Sequence, residues 1–292
     1  MQFVSNPFTP SFVFRPDTFA RACWRKLRPR PECCVVQTAW GDSLEVEPRK
    51  FIGAGVYMRG VHELSICEIL WRLAAPGELA VDVGANIGVM TSLLSKRVGP
   101  RGRVFAFEPH PQTFRRLQEN VRRWPRSNVS LFDRAVANRN ATATLFEPAV
   151  FHLNDGTASL APANGVGQSF PVGTVRLDDI LPAARYGVLK IDVEGLELDV
   201  LHGAERALSQ ARFRDVVFES HSTYPGPAHQ FLLERGCQVF AIQSSLRGPR
   251  LIELPAPWPG QGSAADYLAT IDPARAQKLI APPGWNVLRK SP

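Results

Sequence analysis

From residue 79 onward the chain alternates between two hydrophobic rhythms. Short apolar runs, "LAVDVGA" (79–85), "RVFAFEP" (103–109), "NVSLFDRAV" (128–136), "VLKIDVEG" (188–195), "DVVFESH" (215–221) and "CQVFAIQ" (237–243), have the length and content of buried strands. Between them, apolar residues recur every three or four positions. "NIGVMTSLLSKRV" places Ile87, Met90, Leu94 and Val98 on one helical face, and "PQTFRRLQENVRRW" does so with Phe114, Leu117, Val121 and Trp124. "LELDVLHGAERALSQ" and "AHQFLLERG" read as further helices. Pro111 and Pro273 fit the first turn of a helix, the latter with Asp272 as its cap. A last strand is expected at "WNVLRK" and a fourth early one at "ATATLFE" (141–147).

Buried strands alternating with amphipathic helices predict an α/β fold. The sheet is doubly wound and mostly parallel, with helices on both faces. Such sheets bind ligands beyond the carboxyl ends of their strands, where the strand order reverses. Residues 1–48 stand outside the alternation and read as an N-terminal extension, with 49–292 as the main domain. Asp17 is a candidate cap for a short helix there, and "SLEVEP" (43–48) alternates like a strand. Leu64, Cys67, Leu70 or Trp71, and Ala74 share helical spacing before Pro76 and Gly77. Residues 148–170, rich in Gly, Pro, Asn and Ser, read as a long loop, of the kind that often serves function. Its His152, Asn154, Asp155 and Ser159 suit recognition of a polyhydroxyl acceptor.

Composition narrows the class. Hydrophobic residues make up 45% of 292, enough for a real core. No apolar run approaches the ~18 residues of a membrane span. The first twenty residues lack the charged start and apolar block of a signal peptide. Five irregularly spaced cysteines, Cys23, Cys33, Cys34, Cys67 and Cys237, suit reduced thiols better than a disulfide framework or a zinc site. A cytoplasmic protein is the expectation. The formal charge of +7 owes much to "RACWRKLRPR" (21–30), a run that suits nucleic acid, an anionic membrane face, or simply a solvated arm.

The first strand-to-helix turn carries the most chemistry. A dinucleotide site needs G-x-G-x-x-G, whose second glycine lets a pyrophosphate approach the backbone. Here that position is Asn86, and the pattern is Asp82-x-Gly84-Ala85-Asn86-x-Gly88. Asp82 adds a negative charge, a poor neighbour for phosphates. A cationic, phosphate-free nucleoside such as S-adenosylmethionine (SAM) suits the turn better. Gly84 supplies a turn geometry barred to other residues, and Gly88 close packing of helix on strand. The helix start can hold the methionine carboxylate, and Asp82 the ammonium. Glu108, ending the second strand, can accept hydrogen bonds from both ribose hydroxyls.

"DVGANIGVMTSLLSKRVGPRGRVFAFEPHPQTFRRLQENV", "VRLDDIL" and above all "LKIDVEGLELDVLHGAE" resemble the FkbM-type SAM-dependent methyltransferases, over roughly residues 50–290. The resemblance implies a Rossmann-like class I methyltransferase fold, with a seven-stranded sheet and one antiparallel strand near its edge. It implies O-methylation of a hydroxyl on a small-molecule, glycan or polyketide-type acceptor. It also gives Asp133 the place that contacts the adenine edge, and Glu63 a place lining the SAM or acceptor pocket.

Methyl transfer is an in-line displacement, and a weakly nucleophilic hydroxyl needs a base. Asp192, Glu194, Glu219 and His221 sit at the ends of adjacent expected strands. Asp192 is read as facing SAM or the acceptor, and Glu194 or His221 as the base. Glu194 turns inward if Gly195 begins the loop. His202 falls within a helix and reads as structural. No third ligand accompanies Asp192 and Glu194, so no metal site is expected. The acids would repel nucleic-acid phosphates, so nucleic acid is not the expected acceptor. The competing readings are an RNA methyltransferase guided by the basic arm and a non-catalytic SAM-binding interaction module. The arm could also exchange between subunits of a homodimer.

Overall fold

The computed structural model describes residues 8–148, 158–160, 166–254 and 265–289. Helices α1 (Pro10–Val13) and α2 (Pro16–Lys26) lead into a hairpin of β1 (Cys34–Gln37) and β2 (Ser43–Val46), then α3 (Phe51–Arg59) and α4 (Leu64–Leu73). The alternation follows as β3 (Leu79–Val83), α5 (Val89–Val98), β4 (Arg103–Phe107), α6 (Pro111–Arg123) and β5 (Val129–Phe132). Next come β6 (Arg134–Val136), β7 (Ala141–Pro148), β8 (Val166–Val175), α7 (Leu177–Ile180) and β9 (Tyr186–Ile191). Then α8 (Glu197–Gly203), α9 (Glu205–Ser209), β10 (Phe213–Ser220), α10 (Pro227–Leu233) and β11 (Gln238–Gln243). Strands β12 (Arg250–Glu253) and β13 (Ala265–Thr270), helix α11 (Pro273–Ile280) and a 3-10 turn at Asn286–Leu288 complete the described chain.

Eight strands form the main sheet in the order β12-β11-β13-β10-β9-β3-β4-β5. The chain winds outward through β3, β4 and β5, returns to β9 on the other side of β3, and winds outward again. The order therefore reverses between β3 and β9. These strands are buried on both faces, as their apolar content requires. Ala80, Val104, Val188, Val217 and Leu268 pack on one side with α4 and α5 residues such as Leu70 and Leu93. Their neighbours Val81, Phe105, Leu189, Val216 and Tyr267 pack on the other with Leu201 of α8 and Phe231 of α10. The fold is the doubly wound, Rossmann-like one.

Several elements differ from the sequence reading. The reversed strand is β13, slotted antiparallel between β10 and β11. An eighth strand, β12, is added at the edge, antiparallel to β11, so two strands are reversed and not one. "WNVLRK" is no strand: Trp285 is buried and the segment forms the 3-10 turn. "NVSLFDRAV" breaks at Asp133 into β5 and β6, and β6 joins β8 and β7 in a separate three-stranded sheet. Strands β7 and β8 take up the two ends of the expected loop, Pro148 and residues 166–170. His152, Asn154 and Asp155 lie outside the described residues. "LELDVLHGAERALSQ" forms two helices, α8 and α9. Arg15, not Asp17, is the N-cap of α2, and Asp17 sits in its first turn.

The N-terminal residues pack into the main core. Phe12, Ala22, Trp40 and Leu44 belong to the cluster that contains Leu70 and Leu93. The Trp40 indole donates to Ser92 Oγ of α5 (3.0 Å). Asn120 of α6 donates to the carbonyls of Glu45 (3.2 Å) and Ile87 (2.9 Å) and accepts from the Glu45 N–H (2.6 Å). All five cysteines are free.

Candidate functional site

Strand register brings the acids together. Val83 pairs with Phe107 and with Ile191, and Ile191 pairs with Phe218. The residues one step beyond are Gly84, Glu108, Asp192 and Glu219. Across the antiparallel ladder Glu219 faces Asp266 of β13. A cleft of about 240 Å³ opens at this rim, over the switch point. Its walls include Glu63, Gly84, Asn86, Glu108, Asp192, Glu194 and Glu219.

The turn after β3 is built for close approach. Gly84 has φ +77°, and a Cβ there would sit 1.9 Å from the Asp192 carbonyl oxygen, so only glycine fits. Asn86 also has positive φ, +47°. Gly88 (φ +95°) caps α5 and packs against Leu117 and Trp124, outside the cleft. Ala85 is buried behind the turn. The backbone N–H groups of residues 84–88 all have protein acceptors. Those of Gly84 and Ala85 go to Phe107 O, that of Asn86 to Glu108, that of Ile87 to Asn86 Oδ1, and that of Gly88 to Ala85 O. These donors are engaged within the turn and with the neighbouring strand.

Glu108 is held in place rather than left to swing. Its Oε2 accepts from the Asn86 N–H (2.9 Å) and its Oε1 from the His110 N–H (2.8 Å). His110 in turn contacts Glu147 Oε2 (3.1 Å).

Asp82 is not at the cleft. It is fully buried, accepts from Thr91 Oγ1 (2.6 Å), and faces the Lys190 ammonium at 3.5 Å. The cation it holds is the protein's own, not a ligand's. Lys190 donates to Gly84 O (2.9 Å) and pairs with Asp192 Oδ2 at 3.2 Å. Burial opposes its charge, but Asp192, Asp82 and Glu63 outweigh that and hold its pKa above the ordinary value. Asp82 thus serves the site through Lys190. Asp133 also misses the cleft: its side chain is 61% exposed and paired with Arg134. The break between β5 and β6 turns it outward, and Arg134, Ala135 and Val136 line the wall instead.

Glu194 does turn inward. Strand β9 ends at Ile191, and Glu194 (φ +51°) and Gly195 (φ +90°) form a left-handed pair. Such a conformation costs ~1–3 kcal/mol at a non-glycine residue and tends to mark functional sites. Burial, then Asp192 and Glu219, push the Glu194 carboxyl up to about 7. Burial and Asp192 raise Glu219 as well. Burial, then Glu63, Glu219 and Asp192, push Asp266 up to about 7. Glu63 goes the other way: burial opposes its charge, but the hydrogen bond and charge of His62, with Lys190, hold it low. Glu197 opens α8, and its Oε1 accepts from the Gly195 N–H (2.8 Å). His221 is exposed past the end of β10, within electrostatic reach of Glu194 but not on the cleft wall. His202 packs edge-on against Phe231, a structural contact. Ser159 Oγ donates to Glu194 O (3.3 Å), which brings one residue of the expected loop to the site.

Sequence reasoning puts Lys190 on the strand face of Asp192 but missed its pairing with buried Asp82, and it missed Asp266 with the strand that carries it. The Lys-x-Asp spacing gave a signal for the first, since residues two apart share a strand face.

Residues 82–239 match the model of the Methyltransferase FkbM domain. The chain belongs to this family. The FkbM-family match spans the cleft residues from Gly84 to Glu219 and the buried Asp82 before them. The hexuronic acid methyltransferase AglP of Haloferax volcanii is 32% identical over 163 residues, 55% of this chain and 63% of that protein. The 31-O-demethyl-FK506 methyltransferase FkbM of Streptomyces tacrolimicus is 33% identical over 174 residues, 50% and 66% respectively. The 2-O-methyltransferase NoeI of Sinorhizobium fredii is 26% identical over 180 residues, 54% and 70%. The chain thus spans under two thirds of the length of AglP and FkbM. No helix among the described residues is long and apolar enough to cross a membrane.

Proposed function

We propose that this chain is a SAM-dependent O-methyltransferase whose acceptor is a hydroxyl of a small-molecule, glycan or polyketide-type compound. The observation that carries the reading is the close approach of the Gly84 turn to Asp192, which sets the turn and the carboxylates Glu63, Glu108, Asp192, Glu194 and Glu219 around one cleft. Family membership and the named activities of AglP, FkbM and NoeI support it. We assign the methyl-transfer unit to residues 49–292, with the first 48 as an extension whose Phe12, Ala22, Trp40 and Leu44 pack into the core.

The residues fit the cofactor by their chemistry. Glu108 is a fixed carboxylate with capacity for a vicinal diol, and Asn86 holds a left-handed turn beside it. Glu63, Gly84, Asn86 and Glu108 would hold SAM. Bound SAM supplies an electrophilic methyl on a sulfonium. The protein's part is to exclude water, orient the acceptor and take its proton. Glu194 is the base in this reading: it lines the cleft, and a carboxyl near 7 can accept a proton at neutral pH. Asp192, tied to Lys190, orients the acceptor.

The test uses methyl-labelled SAM with panels of glycan and polyketide hydroxyl acceptors, and calorimetry for SAM binding. Wild type should label an acceptor, and Glu108→Gln should bind SAM about tenfold more weakly, from the loss of a charged hydrogen bond. Unchanged affinity in that variant would move the cofactor out of this cleft. SAM binding with no labelling of any hydroxyl acceptor would refute the O-transfer.

A further inference from the structure

The basic N-terminal run is not used by the cleft, and its surroundings are unusual for a solvated arm. Ten large apolar side chains stand exposed among the described residues, and five of them are Val13, Phe14, Trp24, Leu27 and Val35. Leu27 is 86% exposed and Trp24 54%. The same stretch, residues 8–35, holds six cations against two acids, four of the seven net positive charges of the whole chain.

Helix α2 sorts these residues by face. Thr18 and Ala22 are buried, and Phe19 packs against the core. Arg25 turns inward, its guanidinium 4.2 Å from the Tyr57 ring centre, and it donates to Tyr57 O. These contacts fix the helix to the fold. The opposite face presents Ala20, Arg21 and Trp24, followed by Leu27 and Arg28 just beyond the helix end. Arg28 stacks on Trp24 at 3.9 Å. Among the described residues, neither Lys26 nor Arg28 has an ion-pair partner. An amphipathic tryptophan, a leucine and long-stemmed cations on one face match the boundary between headgroups and acyl chains.

We propose that the α1–α2 face docks on an anionic lipid surface. Charge complementarity selects this occupant. A second copy of the chain meeting the face on a twofold axis would set cation against cation. Nucleic acid would use the cations but gain nothing from Val13 or Leu27. Anionic lipid uses both, the headgroups taking Lys26 and Arg28 and the acyl boundary taking Leu27 and Trp24. Docking also orients the cleft. Thr9, Pro10 and Ser11 at the start of α1 share a surface depression with Phe51, His62 and Glu63, and the last three also line the cleft. Lipid bound at α1–α2 therefore lies beside the cleft mouth, where an acceptor carried on a membrane would arrive. The docking itself does not depend on the methyl-transfer reading.

The test is co-sedimentation of the full chain with phosphatidylcholine vesicles, with and without about one-quarter phosphatidylglycerol. The expected result is binding to the anionic vesicles alone, weakened by salt. The double variants Trp24→Ser/Leu27→Ser and Lys26→Glu/Arg28→Glu should each lose about tenfold or more in affinity. All four side chains are exposed, so circular dichroism should be unchanged. Absence of sedimentation with anionic vesicles would overturn the proposal. So would equal binding by both variants. Conversion of a dimer to a monomer by Trp24→Ser/Leu27→Ser would assign the face to a second copy instead. RNA binding lost in the variants while vesicle binding persists would assign it to nucleic acid.

Discussion

At the scale of single residues, the cleft depends on positions where one side chain is possible. Gly84→Ala would place a methyl against the Asp192 carbonyl at a backbone angle alanine avoids. The expected cost is about 1–3 kcal/mol in urea melts, with loss of SAM binding. Glu194→Gln keeps the shape and removes the proposed proton acceptor. Wild-type turnover should rise with pH through about 7 as Glu194 ionises, and the variant should lose at least about a hundredfold in rate together with that limb. A retained limb would hand the role to another group, His221 among them. That Gly84, Asn86 and Glu108 would share one wall was legible because a turn at a strand end constrains residue type locally. Asp82 was misread because burial depends on Thr91 and Lys190, which reach it from a helix and another strand. Asp133 was misread because nothing local announces that its strand breaks.

At the scale of elements, α4 fastens the C-terminal segment to the sheet. Arg72 pairs with Glu68 (2.6 Å) and donates to the carbonyls of Ile280 (2.8 Å), Pro282 (2.6 Å) and Gly284 (2.7 Å). Glu68 also accepts from the Val287 N–H (2.9 Å). Arg72→Met would strand a buried carboxylate and three carbonyls. A loss of about 3–5 kcal/mol is expected by urea denaturation. This explains why "WNVLRK" is not a strand: its backbone is satisfied by α4 and by its own tight turn, with no sheet edge needed. Strand β13 escaped notice for the opposite reason. It carries Asp266 near its start, and its partners β10 and β11 both precede it in the chain. The long periodic elements α5 and α6 and the strands between them were readable because their pattern is local.

At the scale of the molecule, the acidic rim makes stability depend on pH. Glu194 and Asp266 both titrate near 7 in the folded chain, above their ordinary range. The fold therefore favours their protonated forms. Their stabilising effect is complete below about pH 4 and is lost as the pH rises through about 7. The double variant Glu194→Gln/Asp266→Asn should remove that decline and raise Tm at about pH 8 relative to wild type, with little change below about pH 4. A parallel fall in both proteins would show that other groups govern it. Asn120 has a consequence of its own. Its side chain joins the hairpin, α6 and the turn that carries Asn86, across 75 residues between Glu45 and Asn120. A ligand that steadies the turn steadies this amide too. Occupation of the cleft should then slow deuterium exchange at the Glu45 N–H, so that the hairpin reports whether the cleft is filled.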